Sequence, residues 1–92
     1  MLDPRSAPIP ELRDELQTLM REATPPIYQR ELAAALQEVD GKARSRTYLG
    51  FVLQGREDSA PHVRDYLARC QQALCLVGER RAEAAAALVE HD

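Results

Sequence analysis

Apolar side chains recur at three- and four-residue intervals through most of this chain, and proline or glycine marks each place where the recurrence stops. From Glu11 to Ala23, Leu12, Leu16, Leu19 and Met20 fall on one side of a 3.6-residue repeat, which predicts a first helix. Thr24-Pro25-Pro26 predicts the start of a second, because threonine caps free amides and proline is accepted in a first turn. That helix is expected to reach Val39, to bury Tyr28, Leu32, Leu36 and Val39, and to stop at Asp40-Gly41. A third segment, Ala43 to Gln54, contains the run Tyr48-Leu-Gly-Phe-Val-Leu53, whose composition suits a buried strand. No other segment could pair with it as a sheet, so a short helix ending at Gly55 is the expectation. Asp58 or Ser59 then caps a fourth helix with Pro61 in its first turn, in which Val63, Leu67, Cys70, Leu74 and Val77 recur as four, three, four, three. Ala84 and Leu88 rejoin that stripe after Arg81, so residues 60–91 form either one long helix or two meeting at Gly78.

The expected fold class is therefore all-α: a single domain over residues 1–92, built as a small bundle of four to five helices. Residues 1–10 hold three of the six prolines and form an extended lead-in, with Ile9 stapling the first helix; residues 11–59 supply three short helices. Composition agrees, since tryptophan is absent, glycine is rare, and alanine and leucine are abundant. A domain of this size buries only about two-thirds of its unfolded surface, which leaves little room for an internal substrate cavity. The chain shows neither an apolar leader nor a run long enough to cross a bilayer, and a cytoplasmic protein is expected. Cys70 and Cys75 lie roughly 140° apart around a helix axis, so they read as free thiols, the first buried and the second nearer the surface.

Chemistry enters between Gln29 and Arg56. A helix carrying Leu32, Ala33 and Leu36, a polar turn, and a second helix beginning with Lys42, Arg44, Ser45, Arg46 and Thr47 would make a helix-turn-helix. The pattern Gln29-x-Glu31-Leu32-Ala33-x-x-Leu36, Ser45-x-x-Tyr48-Leu49, with Gly55 seven residues after Tyr48, resembles the DNA-binding domain of Cro and phage-repressor-type helix-turn-helix proteins over residues 11–75. The resemblance implies five short helices whose third reads bases at its start. It places Gln29, Ser45, Arg46 and Thr47 toward double-stranded DNA, where Lys42 and Arg44 join them as the basic start of the second helix, and Leu32, Ala33, Leu36, Leu49 and Val52 inside the motif. The turn between Leu36 and Ser45 is longer than the family's usual spacing, and Gln37, Gly50, Phe51 and Leu53 depart from its residue types.

Charge agrees with a nucleic-acid surface. Residues 28–56 carry five basic and three acidic residues, a balance of +2, within a chain of net −3, leaving −5 for the rest. The competing expectation is a non-enzymatic helical adaptor or chaperone. It would meet a protein partner, or a second copy in a homodimer, through Phe51, Leu53, Val63, Leu67, Leu74, Val77 and Leu88, where the alanine run Ala84 to Ala87 lets another backbone approach. A homodimer suits either function. Catalytic residues, metal ligands, cofactors and a small-molecule substrate are not expected: His62 and His91 are far apart in sequence, no zinc spacing is present, and there is no glycine-rich phosphate loop.

Overall fold

A computed structural model describes residues 1–41 and 46–90. Four helices occur among them: α1 Ile9–Glu22, α2 Gln29–Asp40, α3 Arg46–Leu53 and α4 Val63–Glu90, with no strand among the described residues. The fold is all-α, as the spacing of apolar positions predicts. Lys42, Ala43, Arg44, Ser45, His91 and Asp92 lie outside the described residues, so the expected start of the third helix at Ala43 lies outside them too.

Helix α1 begins two residues earlier than expected. Pro8 precedes it in extended backbone, its carbonyl accepting from the Leu12 amide at 3.0 Å, and Pro10 sits in the first turn where its missing N–H costs nothing. Leu12, Leu16 and Met20 are buried four residues apart, whereas Leu19 stays at the exposed rim. Ile9 packs against the core from its half-buried position.

The start of α2 differs most from expectation. Thr24 and the two prolines do not open the helix; the Thr24–Pro25 peptide is cis, and α2 begins only at Gln29 after an extended Tyr28. A proline disfavours helical backbone in the residue before it, so Pro26 holds Pro25 out of a helix and the chain crosses to α2 in extended form. The consequence is a change of inward-facing residue. Ile27, whose amide donates to the Met20 carbonyl at 2.9 Å, is buried, and Tyr28 is 70% exposed rather than buried as expected. From there α2 follows its pattern, burying Leu32, Ala35 and Leu36 and half-burying Val39. Gly41 ends it at φ 68°, its amide donating to the Gln37 carbonyl at 2.8 Å.

The strand-like run 48–53 is helical, and its apolar density is the reason it is buried on nearly every side: Leu49, Gly50, Val52 and Leu53 all face inward. Its end is a Schellman turn. The Arg56 amide donates to the Phe51 carbonyl at 3.0 Å and the Gly55 amide to the Val52 carbonyl at 3.1 Å. Gly55 adopts φ 83°, a left-handed backbone that calls for glycine, and the Arg13 guanidinium lies 2.9 Å from where a β-carbon would stand.

Turns occupy 57–62, and α4 begins at Val63 instead of being capped by Asp58 or Ser59; Asp58 accepts a hydrogen bond from Arg13 of α1 instead. The helix is continuous through Gly78, where nothing lies within 4 Å of a would-be β-carbon. It is the spine of the bundle: α2 packs on it most extensively and α1 less so, with Val63, Tyr66, Leu67, Cys70, Ala73, Leu74 and Val77 completing one core. The Tyr48 and Tyr66 rings meet edge to face at 5.0 Å and tie α3 to α4. Beyond Val77 burial ends, and the molecule extends 50 Å in its longest direction against 25 and 19 Å in the others.

Candidate nucleic-acid interface

Two helix starts meet at one surface. Because the apolar faces of α2 and α3 turn inward, Gln29 and Arg30 at the beginning of α2 and Arg46 and Thr47 at the beginning of α3 are left exposed. Tyr28, Gln29, Arg30, Glu31 and Arg46 line an open depression of about 600 Å³. Gln29 Oε1 lies 3.4 Å from where a β-carbon on Gly50 would stand, so the glutamine side chain rests against α3. No side chain caps α2, so the amides of its first turn and the positive end of its dipole face the same surface as the two arginines.

The three carboxylates of α2 are all engaged by arginines of α4. Arg81 Nη2 donates to Glu31 Oε1 at 2.7 Å and Nε to Oε2 at 3.2 Å; Arg80 pairs with Glu38; and Arg69 Nη1 lies 2.9 Å from Asp40 Oδ1. Arg80 donates to the Glu38 carboxylate and thereby holds that carboxyl below its ordinary range, while Glu38 raises the Arg80 guanidinium above its own. Among the described residues neither Arg30 nor Arg46 has a carboxylate partner. The cationic groups at the α2–α3 surface are therefore available to an anion, and the carboxylate beside them, Glu31, is already paired with Arg81.

Of the residues that the sequence points toward DNA, Gln29 and Arg46 line this depression, Thr47 is exposed next to Arg46 in sequence, and Lys42, Arg44 and Ser45 lie outside the described residues. Two that belong to the surface were not foreseen. Tyr28 was expected in the core because the stripe Leu36, Leu32 extrapolates back by four; the helix starts one residue too late for that extrapolation to hold. Arg30 was counted in the charge balance but not in the site, although it adjoins Gln29 in the first turn.

The expected partner surface is mostly corrected. Leu53, Val63, Leu67, Leu74 and Val77 are buried in the chain's own core, because the first half of α4 closes the bundle, so they present no surface to a partner. Phe51 is half-buried with the Arg56 guanidinium 4.8 Å above its ring. Leu88, 72% exposed, is the one residue of that set standing in the open. Cys70 is buried and Cys75 exposed, and no disulfide joins them. A smaller polar cavity, about 190 Å³, lies between α3 and the start of α4 and is lined by Tyr48, His62, Asp65, Tyr66 and Arg69.

Among the described residues no helix is long and apolar enough to cross a membrane. Comparison of the chain with protein-family models, with curated proteins and with solved structures returns no match.

Proposed function

We propose that this chain is a small, non-enzymatic DNA-binding regulatory protein that approaches double-stranded DNA with the starts of α2 and α3. The observation that carries the reading is the juxtaposition of Gln29 and Arg46, two residues to which the Cro and phage-repressor resemblance gives DNA contacts, with Arg30 around one open depression, and with exposed Thr47 next to Arg46 in sequence. Each element has a distinct task. The uncapped first turn of α2, with Gln29 and Arg30, suits the phosphate backbone, because amides and guanidinium groups both donate to phosphate oxygens. Arg46 and Thr47 begin the helix that would enter the major groove, where arginine pairs with guanine and threonine with base edges or the thymine methyl.

The test is fluorescence anisotropy of labelled duplex DNA over a salt series. Binding whose logarithm falls linearly with log salt, at roughly 0.9 per phosphate contact, supports the reading. No binding at low salt by folded protein removes it.

A second reading keeps one observation of its own. Helix α4 runs past Val77 with Ala84 to Ala87 and Leu88 exposed, the kind of small-residue face against which another helix packs closely. That face suits a homodimer, which would set two DNA-reading units a fixed distance apart, or an adaptor's protein partner. Sedimentation of wild-type protein and Leu88→Ser distinguishes them: a dimer lost in the variant supports self-association, and a monomer in both leaves the face to an adaptor's partner.

A further inference from the structure

Arg81 is the only residue between Gly78 and Leu88 that is not exposed, although it sits on the part of α4 beyond the core. Its guanidinium reaches back across the bundle. It donates twice to the Glu31 carboxylate, at 2.7 and 3.2 Å, to the Pro26 carbonyl at 3.3 Å and to the Pro25 carbonyl. Those groups frame Tyr28, Gln29 and Arg30 on either side. Glu31 also lines the depression that holds Arg30 and Arg46, so its negative charge stands beside any anion bound there.

Resting on the DNA-binding reading above, we propose that Arg81 is a positioning residue for phosphate recognition: it neutralises Glu31 within the α2–α3 surface and fixes the 25–31 segment that presents Tyr28, Gln29 and Arg30. Without it, Glu31 is an uncompensated carboxylate among the phosphate-facing groups, or it turns to Arg30 or Arg46 and removes a cation from the surface. Either outcome lowers affinity for a polyanion. The same logic runs along the helix, since Arg80 and Arg69 neutralise Glu38 and Asp40 and no α2 carboxylate is left unpaired. Arg81, on the second half of α4, thus serves the DNA surface without touching DNA.

The experiment measures anisotropy of a labelled mixed-sequence duplex against wild type, Arg81→Met, Glu31→Gln and the double variant over one salt series, with circular dichroism confirming helix content. Arg81→Met is expected to weaken binding by about five- to tenfold at low salt, with the deficit shrinking as salt screens it. Adding Glu31→Gln to Arg81→Met is expected to restore most but not all of the affinity, because the offending charge is gone while the contacts to the Pro25 and Pro26 carbonyls stay lost. Glu31→Gln alone, which keeps the carbonyl contacts and frees a cation, is expected to bind at least as tightly as wild type. Wild-type binding with an Arg81→Met variant that binds equally well overturns this inference and leaves the DNA reading standing. Loss that Glu31→Gln does not restore, or weaker binding by Glu31→Gln alone, overturns the neutralising role. Failure of wild type to bind at low salt overturns both.

Discussion

The two halves of α4 have similar helical sequences and opposite surroundings. From Val63 to Val77 the helix buries seven side chains and closes the bundle; from Gly78 to Leu88 it is exposed apart from Arg81. The apolar stripe alone does not separate them, since Ala84 and Leu88 continue its register. What separates them is the length of the helices beneath: α2 has only 12 residues, and its antiparallel run along α4 places Asp40 near Arg69 and Glu31 near Arg81, so past that point α4 has nothing to cover. The first half is held by the hydrophobic effect, the second by arginine pairs and its own backbone.

That contrast is easiest to break in the core. Leu67→Ala removes a fully buried side chain and is expected to cost about 2–5 kcal/mol, whereas Leu88→Ala, at 72% exposure, should change stability by less than about 0.5 kcal/mol. Urea unfolding of the two variants checks it, and equal costs would mean that Leu88 is covered in solution. Gly78 stands at the boundary between the halves. Gly78→Ala finds open space and helical backbone, so it is expected to stabilise the protein by roughly 0.5–1 kcal/mol; a destabilised variant would show that the helix bends or divides there.

The smallest effect is electrostatic. Arg80, in the outer half, holds the Glu38 carboxyl below its ordinary value of 4.5, so the pair stabilises the fold above that value and its contribution is lost as pH falls through the lowered one. Both groups are solvent-exposed, which keeps the gain small. Glu38→Gln should lower stability slightly at neutral pH and leave it unchanged at low pH, flattening the acid limb of a stability-versus-pH curve by that small amount.

Periodicity made the inward faces of α1, α2 and the first half of α4 readable, because burial of Leu12, Leu16, Leu32, Leu36 and Leu67 is what generates that periodicity. The run at 48–53 was readable as helix only by elimination, since no other segment of the sequence reads as a strand to pair with it. Helix starts were less legible: two successive prolines satisfy the rule for a first turn, yet Pro26 also disfavours helix at Pro25, and the second effect prevailed. Ile27 and Tyr28 exchanged places as a result. At the surface, Gln29, Arg46 and Thr47 were identified through a local pattern, while Tyr28 required the true start of α2. The Glu31–Arg81 pair spans 50 residues, and no local spacing encodes which of the chain's arginines will reach a given glutamate. Leu53, Val63, Leu67, Leu74 and Val77 show the same limit: an apolar stripe reveals that a face is covered, not whether its own chain covers it.

The most direct measurement is the salt dependence of duplex binding for wild type and for Arg30→Ala/Arg46→Ala, side by side. Wild type is expected to bind at low salt with a steep loss on adding salt. The double variant should be weaker and its slope shallower by up to about two, roughly one for each arginine that contacts phosphate. Identical slopes would place the DNA contact elsewhere, and folded wild-type protein that binds no duplex at low salt would contradict the proposed function.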